Sequence, residues 1–477
     1  MWVDAYGPGF KTPDEVDTLI HDARALDLNA LFVQVVRRGD CYCLRSALPV
    51  SDDPALAPGF DPLEALTDRA HAAGLQVHAW VVTLALWGAD TPPTDPAHLY
   101  HRHGPDAAES WLNRRYDGVT RPERDVYLDP GVPGVGDYLA EAVVSLAENY
   151  ELDGVTFDRL RHPDFNLDHA PSWGYSAESL TRYALETGLN TGSVALPHPT
   201  DPGWTAWRRE QVSLLERRLY LELKQTDPSL WVGAATIAYG APPERFAESP
   251  AYKLVLQDWA GWSAGGFLDL NVPMNYKRGG DAEEARWFSG WNRTAPGFAP
   301  KSETAVAVGL YRNPLGDTLE QLREVAATPE LSGWVAYSYR APSDAAEGDA
   351  AGVPATRAAL AARLSAPGEA SAATGSLRSF GRPPPVTALL GWVETETGVP
   401  ETVELVQDGG VVQTARTDAA GRYGFRLPEG SHGGYLVRLS GGVAVPAPLR
   451  AGSVARAPTL TRGSAWYAAS VSDRTTY

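Results

Sequence analysis

Two stretches near the start of the chain carry the hydrophobic spacing of amphipathic helices. Their apolar residues recur three and four positions apart. The first stretch, residues 12–29, offers Thr12 as N-cap, Pro13 at the first helical position and Glu15 to close a capping box. The second, residues 61–74, repeats this order as "DPLE" and ends in glycine. Helices are therefore predicted in both stretches, and others over residues 204–225 and 319–327.

Short apolar, β-branched runs alternate with the predicted helices. Each is apolar almost throughout, as parallel strands covered by helices must be. The runs span residues 1–6, 30–38, 75–82, 154–161, 231–238, 268–276, 304–311 and 333–340. Eight strands alternating with helices predict an α/β fold, a (β/α)8 TIM barrel. A doubly wound sheet is the alternative, but no glycine-rich dinucleotide-binding fingerprint follows the first run.

Long insertions follow the third and fourth predicted strands. They span residues 83–134 and 162–203, so both leave from the carboxyl ends of strands. TIM barrels keep their active sites at that end. The stretch "DGVTFDRLRHP", residues 153–163, therefore ends at the predicted catalytic face, and Asp158 stands where its apolar run stops.

The composition changes after the last predicted strand. Residues 1–365 form the predicted barrel, and residues 366–385, rich in Ala, Gly, Ser and Pro, predict a linker. Residues 386–477 alternate short strands with Gly and Asp turns, which predicts a small all-β sandwich. Since the sandwich follows a linker and carries no clustered carboxylates, we expect it to be dispensable for chemistry.

The formal net charge of −18 restricts the classes of partner. Nucleic acid and anionic membranes require Lys and Arg for their phosphates, so neither is expected. The sequence has no transmembrane run and leaves the oligomeric state open. A carbohydrate polymer suits the 15 tryptophans, because indole faces stack on sugar rings, although core packing accounts for most of them.

The only cysteines, Cys41 and Cys43, are one residue apart. Alternate residues of a strand are too far apart for an unstrained bridge, so we expect no disulfide between them. A metal site would need a further pair of ligands, and no metal or cofactor is expected. The first residues contain no signal peptide. We expect an exported or periplasmic protein whose signal is missing from this sequence, with a cytoplasmic location left open.

Carboxylates, arginines and aromatic residues gather at the ends of the predicted strands, a mixture that suits carbohydrate. Glycosidic cleavage needs one carboxylic acid to protonate the leaving oxygen and one carboxylate as nucleophile or base. Arginine donates planar hydrogen bonds to hydroxyls and carboxylates. The candidate catalytic residues are Asp158, Asp40 and Asp4. The candidate substrate-binding residues are Gln34, Arg38, His78, Trp80, Trp87, Arg161, Trp173, Asp269, Asn271, Tyr276, Trp287 and Tyr339.

Asp158 has two interpretations. Beside Arg161 or Arg38 it would stay ionised, as a nucleophile requires. Alternatively, Asp158 and Arg161 form an ion pair that only braces the barrel rim. His78 likewise reads either as a ligand-binding residue or as a core histidine.

Five ordered motifs resemble the glycosyl-hydrolase-like 10 family. They are the stretch from "MWVDAYGPGF" to "CYCLRS", then "YLDPGVPGV", "DGVTFDRLRHP", "WTAWRREQV" and "NVPMNYKR". The resemblance covers roughly residues 1–345 and implies a barrel that acts on glycans, with bacterial cell-wall polymers as a family substrate. The family is distantly similar to the α-amylase clan, and by that analogy Asp158 takes the nucleophile's place.

The chain departs from these patterns at two points. The fifth strand, "WVGAATIAYG", has no glutamate where the α-amylase clan keeps its acid, so Asp40 or Asp4 becomes the candidate acid. Residues 159–162, "RLRH", differ from the family's "DYxRYP" pattern around the key aspartate, which predicts a different substrate choice. At the other end of the chain, "TDAAGRYGFRLPEGSHGGYLVRL" resembles the transthyretin-like, carboxypeptidase-regulatory accessory domain.

Three functions compete on this evidence. The leading one is a glycoside hydrolase acting on a bacterial polysaccharide, with peptidoglycan glycan strands as one candidate. The second is a glycan-binding barrel without catalysis, in which the missing glutamate means lost chemistry. A sugar-phosphate isomerase is disfavoured, because "GLYRNPLGD" rather than a glycine-rich phosphate loop follows the seventh strand.

Overall fold

The computed structural model describes residues 1–121, 125–163, 173–188, 196–366, 381–394 and 399–461. Its helices are α1 (Pro13–Ala25), α2 (Pro62–Ala72), α3 (Leu99–His103), α4 (Pro133–Asn149), α5 (Ala177–Thr187), α6 (Pro202–Thr226), α7 (Pro250–Lys253), α8 (Trp259–Gly265), α9 (Ala282–Phe298), α10 (Leu315–Ala326) and α11 (Val353–Leu364). Short 3-10 helices span Phe246–Glu248 and Leu310–Arg312. No helix in these ranges is long and apolar enough to cross a membrane.

The strands fall into a barrel set, an insertion pair and a C-terminal set. The barrel strands are β1 (Trp2–Val3), β2 (Ala30–Val36), β3 (Gln76–Val82), β6 (Gly154–Asp158), β7 (Trp231–Ile237), β8 (Leu270–Met274), β9 (Glu303–Gly309) and β10 (Gly333–Tyr337), and the insertion pair is β4 (Ala85–Trp87) and β5 (Val126–Tyr127). The C-terminal strands are β11 (Thr387–Glu394), β12 (Thr402–Gln407), β13 (Gly410–Arg416), β14 (Arg422–Leu427), β15 (Tyr435–Leu439), β16 (Val445–Pro446), β17 (Val454–Arg456) and β18 (Leu460–Thr461).

The eight barrel strands form one parallel sheet in the order β1-β2-β3-β6-β7-β8-β9-β10. The backbone N–H of Tyr339, just after β10, donates to the carbonyl of Trp2 on β1 at 2.9 Å and so joins the two ends of the sheet. Helices separate the successive strands. All eight predicted strands are present, and the predicted (β/α)8 fold class is confirmed.

The first helix begins at the predicted residues, with one change in its capping. The Thr12 hydroxyl accepts the Glu15 N–H at 3.2 Å, as an N-cap does. The Glu15 carboxylate, however, accepts the N–H groups of Gly9 and Lys11 at 3.0 and 2.8 Å instead of returning to Thr12. The glutamate therefore holds the loop that leads from β1 into α1.

Both predicted insertions leave from the carboxyl ends of strands. The first contains the antiparallel pair of β4 and β5 together with α3. The second contains α5, while its residues 164–172 and 189–195 lie outside the described ranges.

Cys41 and Cys43 form a disulfide, contrary to the expectation from the sequence. That expectation assumed an extended strand through both residues. The strand β2 ends at Val36, and the chain bends after Cys41, which brings the two Cα atoms to 5.2 Å. This separation lies within the normal range for disulfides.

The C-terminal strands form two four-stranded sheets, one built around β11 and the other in the order β13-β12-β15-β16. Most of the predicted linker, residues 367–380, lies outside the described part of the chain. Alternate residues of β11 point in opposite directions: Leu389 and Val393 belong to the core of the sandwich, whereas Ala388 and Leu390 join the core of the barrel. The sandwich therefore covers apolar barrel residues that a chain ending near residue 366 would expose to water.

Polar contacts tie the sandwich to α6, the longest of the described helices. Arg218 of α6, whose side chain is 4% exposed, pairs with Asp418 of the sandwich at 3.5 Å and with Asp137 at 2.7 Å. Arg416 of the sandwich pairs with Glu186 and Glu210 at 2.8 and 2.7 Å. Burial raises the pKa of Asp418, and Arg218 opposes that shift. The buried arginine therefore compensates a carboxylate that would otherwise lose its hydration without a partner.

Replacing Arg218 by alanine should lower the free energy of unfolding by about 3 kcal/mol, because the carboxylate of Asp418 would stay buried without its cation. Chemical denaturation of the full chain measures this. The matched control is Arg245→Ala, since the Arg245 side chain is 78% exposed in its ion pair with Glu248. That variant should lose less than about 1 kcal/mol. Equal losses in the two variants would contradict a stabilising interface.

His78 belongs to the barrel core. The residue lies on β3, is fully buried, and stacks on Phe32 with ring centroids 4.5 Å apart. Burial lowers the pKa of His78 to about 4. This histidine is therefore neutral in the folded protein over the range in which an unfolded histidine takes up a proton.

We expect stability to fall as the pH falls from about 6.5 to 4, because there the unfolded chain binds a proton at His78 that the folded chain does not. The full effect is on the order of 3 kcal/mol. Melting temperatures at pH 7.5 and pH 5 should differ less for His78→Asn than for the wild type. The exposed His432 provides the control, and His432→Asn should behave as the wild type. An unchanged pH dependence in His78→Asn would refute the assignment.

Candidate active site

A cavity of about 360 Å³ opens at the carboxyl ends of the barrel strands. This is the end at which barrels of this type place their active sites. The aromatic residues that line it are Trp2, Trp80, Tyr239, Tyr276, Tyr311 and Tyr337. The charged residues that line it are Asp158, Arg159, Arg161, Lys277 and Arg312. In the described part of the chain, Asp158 is therefore the one carboxylate among several cations in this lining.

Asp158 is the last residue of β6, and both of its carboxylate oxygens accept hydrogen bonds. The indole N–H of Trp80 donates to Oδ2 at 3.2 Å, and the backbone N–H of Arg159 donates to Oδ1 at 2.7 Å. Arg159 adopts a φ of 53°, in the left-handed region that non-glycine residues rarely occupy. Backbone strain of this kind concentrates at functional sites. The local chain therefore holds the carboxylate at the edge of the cavity, and no cation in the described ranges forms an ion pair with it.

A separate network braces the rim. Arg38 donates to both oxygens of Asp125 at 3.1 and 3.2 Å, and Arg159 donates to one of them at 3.3 Å. Among the described residues no ion pair joins Asp158 to Arg161 or to Arg38. The bracing role considered for Asp158 therefore belongs to Asp125, which comes from the first insertion.

The aromatic residues form a continuous wall of the cavity. The rings of Tyr276 and Tyr337 stack with centroids 5.2 Å apart, and Tyr311 meets both edge-on at 6.0 and 5.8 Å. Trp80 extends the wall, and its ring centroid lies 6.3 Å from that of Tyr337. Burial raises the pKa of Tyr276, and the nearby Asp158 adds to the rise. These phenols therefore stay protonated and can donate hydrogen bonds to a ligand.

Lys277 is a buried lysine of the cavity lining. Its side chain donates to the carbonyl of Ala238 at 2.8 Å, and the residue is 5% exposed. Burial lowers the pKa of Lys277 to about 8; Glu284 opposes this shift and Arg312 adds to it. The cavity therefore contains an amine whose protonation changes close to neutral pH.

Asp4 and Asp40, the other candidate catalytic residues, do not line the cavity. Asp4 is 1% exposed and accepts from Nε of Arg340 at 3.0 Å. Asp40 is 2% exposed and accepts from the hydroxyl of Ser51 at 2.7 Å and from Arg37 at 3.2 Å. The hydrogen bonds of both carboxylates are directed at other parts of the protein rather than at the cavity.

The structure brings three candidate substrate-binding residues into the cavity lining and leaves the others outside it. The three are Trp80, Arg161 and Tyr276. Inside the barrel, Gln34 accepts the N–H of Ala5 at 3.0 Å and Asn271 accepts the hydroxyl of Thr236 at 2.7 Å. Like His78, Gln34 and Asn271 therefore hold the strands together, while Arg38 is engaged at the rim.

The remaining aromatic candidates pack away from the cavity. Trp87 is 5% exposed and donates to the carbonyl of Thr91 at 2.8 Å. Trp173 is 3% exposed, and Tyr339 donates its hydroxyl to Asp22 at 2.8 Å. Trp287 lies on α9 and is not part of the lining. Of the predicted aromatic candidates, only Trp80 and Tyr276 line the cavity, because burial cannot be read from a tryptophan's position after a strand.

Asp269 lies at the opposite end of the barrel from the cavity. The observed strand β8 begins at Leu270, so Asp269 precedes the strand instead of following it. Its carboxylate pairs with Lys224 at 2.6 Å and accepts the hydroxyl of Tyr220 at 2.8 Å. The predicted run began two residues too early and included Asp269, which was grouped with the polar residues of the carboxyl end although it stands at the amino end.

Besides the apolar Trp2, Ala235 and Met274, six polar or charged residues of the cavity lining were not among the candidates. They are Arg159, Tyr239, Lys277, Tyr311, Arg312 and Tyr337. Most stand in the first residues after an observed strand end, or on its last residue, and that position was the signal in the sequence. Within the described ranges, no cluster of three or more His, Cys, Asp or Glu side chains is arranged to hold a metal ion.

The sequence is similar to known glycosyl hydrolases. A family model named glycosyl hydrolase-like 10 matches residues 4–310. Glycosyl hydrolase DigH of Escherichia coli (strain K12) is 33% identical over 147 residues, which make up 30% of this chain and 33% of DigH. Glycosyl hydrolase YngK of Bacillus subtilis (strain 168) is 21% identical over 292 residues, 58% of this chain and 49% of YngK. The matches thus span about a third and a half of these two relatives.

Solved structures share the fold. The PgaB (BpsB) glycoside hydrolase domain from Bordetella bronchiseptica aligns with a TM-score of 0.50 and 17% identity, over 75% of this chain and 97% of that one. A β-galactosidase from the psychrophilic Marinomonas ef1 aligns with a TM-score of 0.53 and 12% identity, over 76% and 59%. At identities this low, the two alignments show only that the barrel fold is shared. The family match covers well over half of the sequence, and the chain therefore belongs to the glycosyl hydrolase-like 10 family.

Proposed function

We propose that this chain is a glycoside hydrolase that cleaves a bacterial polysaccharide, with Asp158 as its nucleophile and peptidoglycan glycan strands as the first candidate substrate. One observation carries the proposal. The Asp158 carboxylate stands at the end of β6 on the edge of the cavity, hydrogen-bonded to Trp80 and to the Arg159 amide and free of any described ion pair. Such a carboxylate is positioned to attack an anomeric carbon of a bound sugar.

The aromatic wall supports a sugar as the ligand. Tyr276, Tyr311 and Tyr337 line the cavity together with Asp158, and Trp80 extends this surface. Ligand sites commonly combine aromatic walls with a few placed polar groups. The names of both curated relatives, each a glycosyl hydrolase, are consistent with this proposal.

A glycan-binding barrel without catalysis is the second candidate. It is favoured by a specific observation: in the described part of the cavity lining, no second carboxylate accompanies Asp158. The two functions differ in their products, because only a hydrolase creates new reducing ends.

The disulfide between Cys41 and Cys43 bears on location. Disulfides persist in oxidising compartments and are rare in the cytosol. We therefore propose that the protein works outside the cytoplasm, where a cell-wall polysaccharide is accessible.

Asp158→Asn should abolish most reducing-end release from peptidoglycan glycan strands, because the amide keeps the shape of the side chain but cannot attack. Losing the covalent step costs several powers of ten in rate, on the order of 5 kcal/mol or more. Binding and melting temperature should stay close to those of the wild type. Asp40→Asn, in contrast, should lower the melting temperature and leave the rate per folded molecule unchanged, since Asp40 lies outside the cavity. A rate loss confined to Asp40→Asn would overturn the assignment.

Tyr311→Ala should weaken glycan binding about tenfold, because the variant removes one ring of the aromatic wall at a cost of about 1.4 kcal/mol. Isothermal titration with glycan strands, using the inactive Asp158→Asn background, measures affinity without turnover. Trp287→Ala is the matched control, since Trp287 is an aromatic residue of α9 outside the cavity lining. If both variants lose affinity equally, the aromatic wall is not the glycan platform.

A further inference from the structure

The described cavity lining has no carboxylic acid at the end of the fifth barrel strand. The strand β7 ends at Ile237 and is followed by Ala238 and Tyr239, so no acidic residue stands there. The side chain of Lys277 fills this place from the neighbouring strand. Lys277 follows β8 by three residues, and its Nζ donates to the carbonyl of Ala238 at 2.8 Å. An ammonium group therefore lies at the carboxyl end of β7, in a cavity that also contains Asp158.

Two buried side-chain amides hold the backbone of Lys277. Asn313 and Gln321 donate their side-chain N–H groups to the carbonyl of Lys277 at 2.9 and 3.0 Å. Asn313 also accepts the N–H of Gly279 at 2.7 Å. Both amide side chains are themselves buried. These contacts fix the backbone from which the side chain extends, and the hydrogen bond to Ala238 fixes its Nζ, as a catalytic group requires.

The electrostatic surroundings make Lys277 a group that can release its proton. Burial lowers its pKa to about 8, and the charges that act on it are Glu284, which raises the value, and Arg312, which lowers it. Glu284 itself is engaged by Arg278 and Arg312 at 2.7 and 3.2 Å. The other titratable groups that share the cavity are Asp158, Tyr239, Tyr276, Tyr311 and Tyr337, and its other cations are Arg159, Arg161 and Arg312. A proton donor is most effective when its pKa lies near the working pH.

We propose that Lys277 is the general acid and base of this active site, taking the place that a carboxylic acid holds in other glycosidases. The inference rests on the proposed hydrolase function. In the first step an Asp158 oxygen bonds to the anomeric carbon while the bond to the leaving oxygen breaks. The electron pair of that bond stays on the leaving oxygen, which takes a proton from the Lys277 ammonium.

The second step returns both residues to their starting state. The neutral amine of Lys277 takes a proton from water as the water oxygen bonds to the anomeric carbon. The bond to Asp158 breaks with its electron pair on the carboxylate. The net reaction adds one water molecule across the glycosidic bond and leaves Asp158 ionised and Lys277 protonated, so it needs no further reactant.

The competing role is a tether, in which Lys277 only links β8 to Ala238 and its charge stabilises the cavity. Lys277→Arg separates the roles. Arginine keeps the charge and can donate hydrogen bonds, but it does not release its proton. Lys277→Met keeps the length of the side chain and removes the charge. The exposed Lys253 of α7 supplies the control variant Lys253→Met, which should match the wild type.

The experiment compares two substrates: solubilised peptidoglycan glycan strands and 2,4-dinitrophenyl β-di-N-acetylchitobioside, whose leaving group departs without protonation. Lys277→Met and Lys277→Arg should both lose about a hundredfold or more in kcat on the strands. On the dinitrophenyl substrate the loss should be below about tenfold once sodium azide replaces water in the second step, with glycosyl azide as the product. The wild-type rate should fall above about pH 8, as the ammonium loses its proton, and Lys277→Arg should lack this limb.

The outcomes separate this inference from the proposed function. An active wild type with a fully active Lys277→Arg overturns the acid–base role alone and supports the tether. Equal losses on both substrates, with no rescue by azide, also overturn it. A well-folded wild type that cleaves neither substrate overturns the proposed function, and the inference with it.

Discussion

The register between β3 and β6 is the constraint on which the candidate active site depends. Val82 pairs with Asp158 and Trp80 with Thr156, so the Trp80 indole reaches back to the Asp158 carboxylate at 3.2 Å. Thr83, one residue beyond the pair, donates its amide and hydroxyl to the carbonyl of Asp158. A slip of one residue would turn Trp80 to the other face of the sheet. Backbone pairing within the barrel therefore decides where the carboxylate points.

The same sheet order places two different titratable groups on β6 and just after β8, with β7 between them. Asp158 ends β6 at the cavity edge, and Lys277 reaches from beyond β8 to the end of β7, which lies between them. Hydrogen bonds hold the carboxylate, whereas burial destabilises the ammonium. Helix α6 contacts the sandwich through the ion pair of Arg218 with Asp418, and neither residue lines the cavity.

Local patterns predicted the fold well and the site only in part. The eight apolar runs and the end of the run at Asp158 depend on residues that are adjacent in the sequence, and they were read correctly. The predicted run at β8 began two residues too early, and Asp269 was grouped with the carboxyl-end residues although it stands at the amino end. The disulfide was missed for a related reason, since a bend after Cys41 does not follow from an apolar pattern. Trp87 and Trp173 failed as platform residues because their burial depends on distant packing.

The sequence by itself determined several helices, the eight barrel strands, the two insertions and the strand-end position of Asp158, because each rests on local backbone preference and hydrophobic period. Only the tertiary structure decided the partners. Lys277 meets a carbonyl 39 positions away, Arg38 meets a carboxylate 87 positions away, and Arg218 meets one 200 positions away. Nothing in the local pattern encodes such pairs, since closing loops of these lengths depends on how the whole barrel and the sandwich pack.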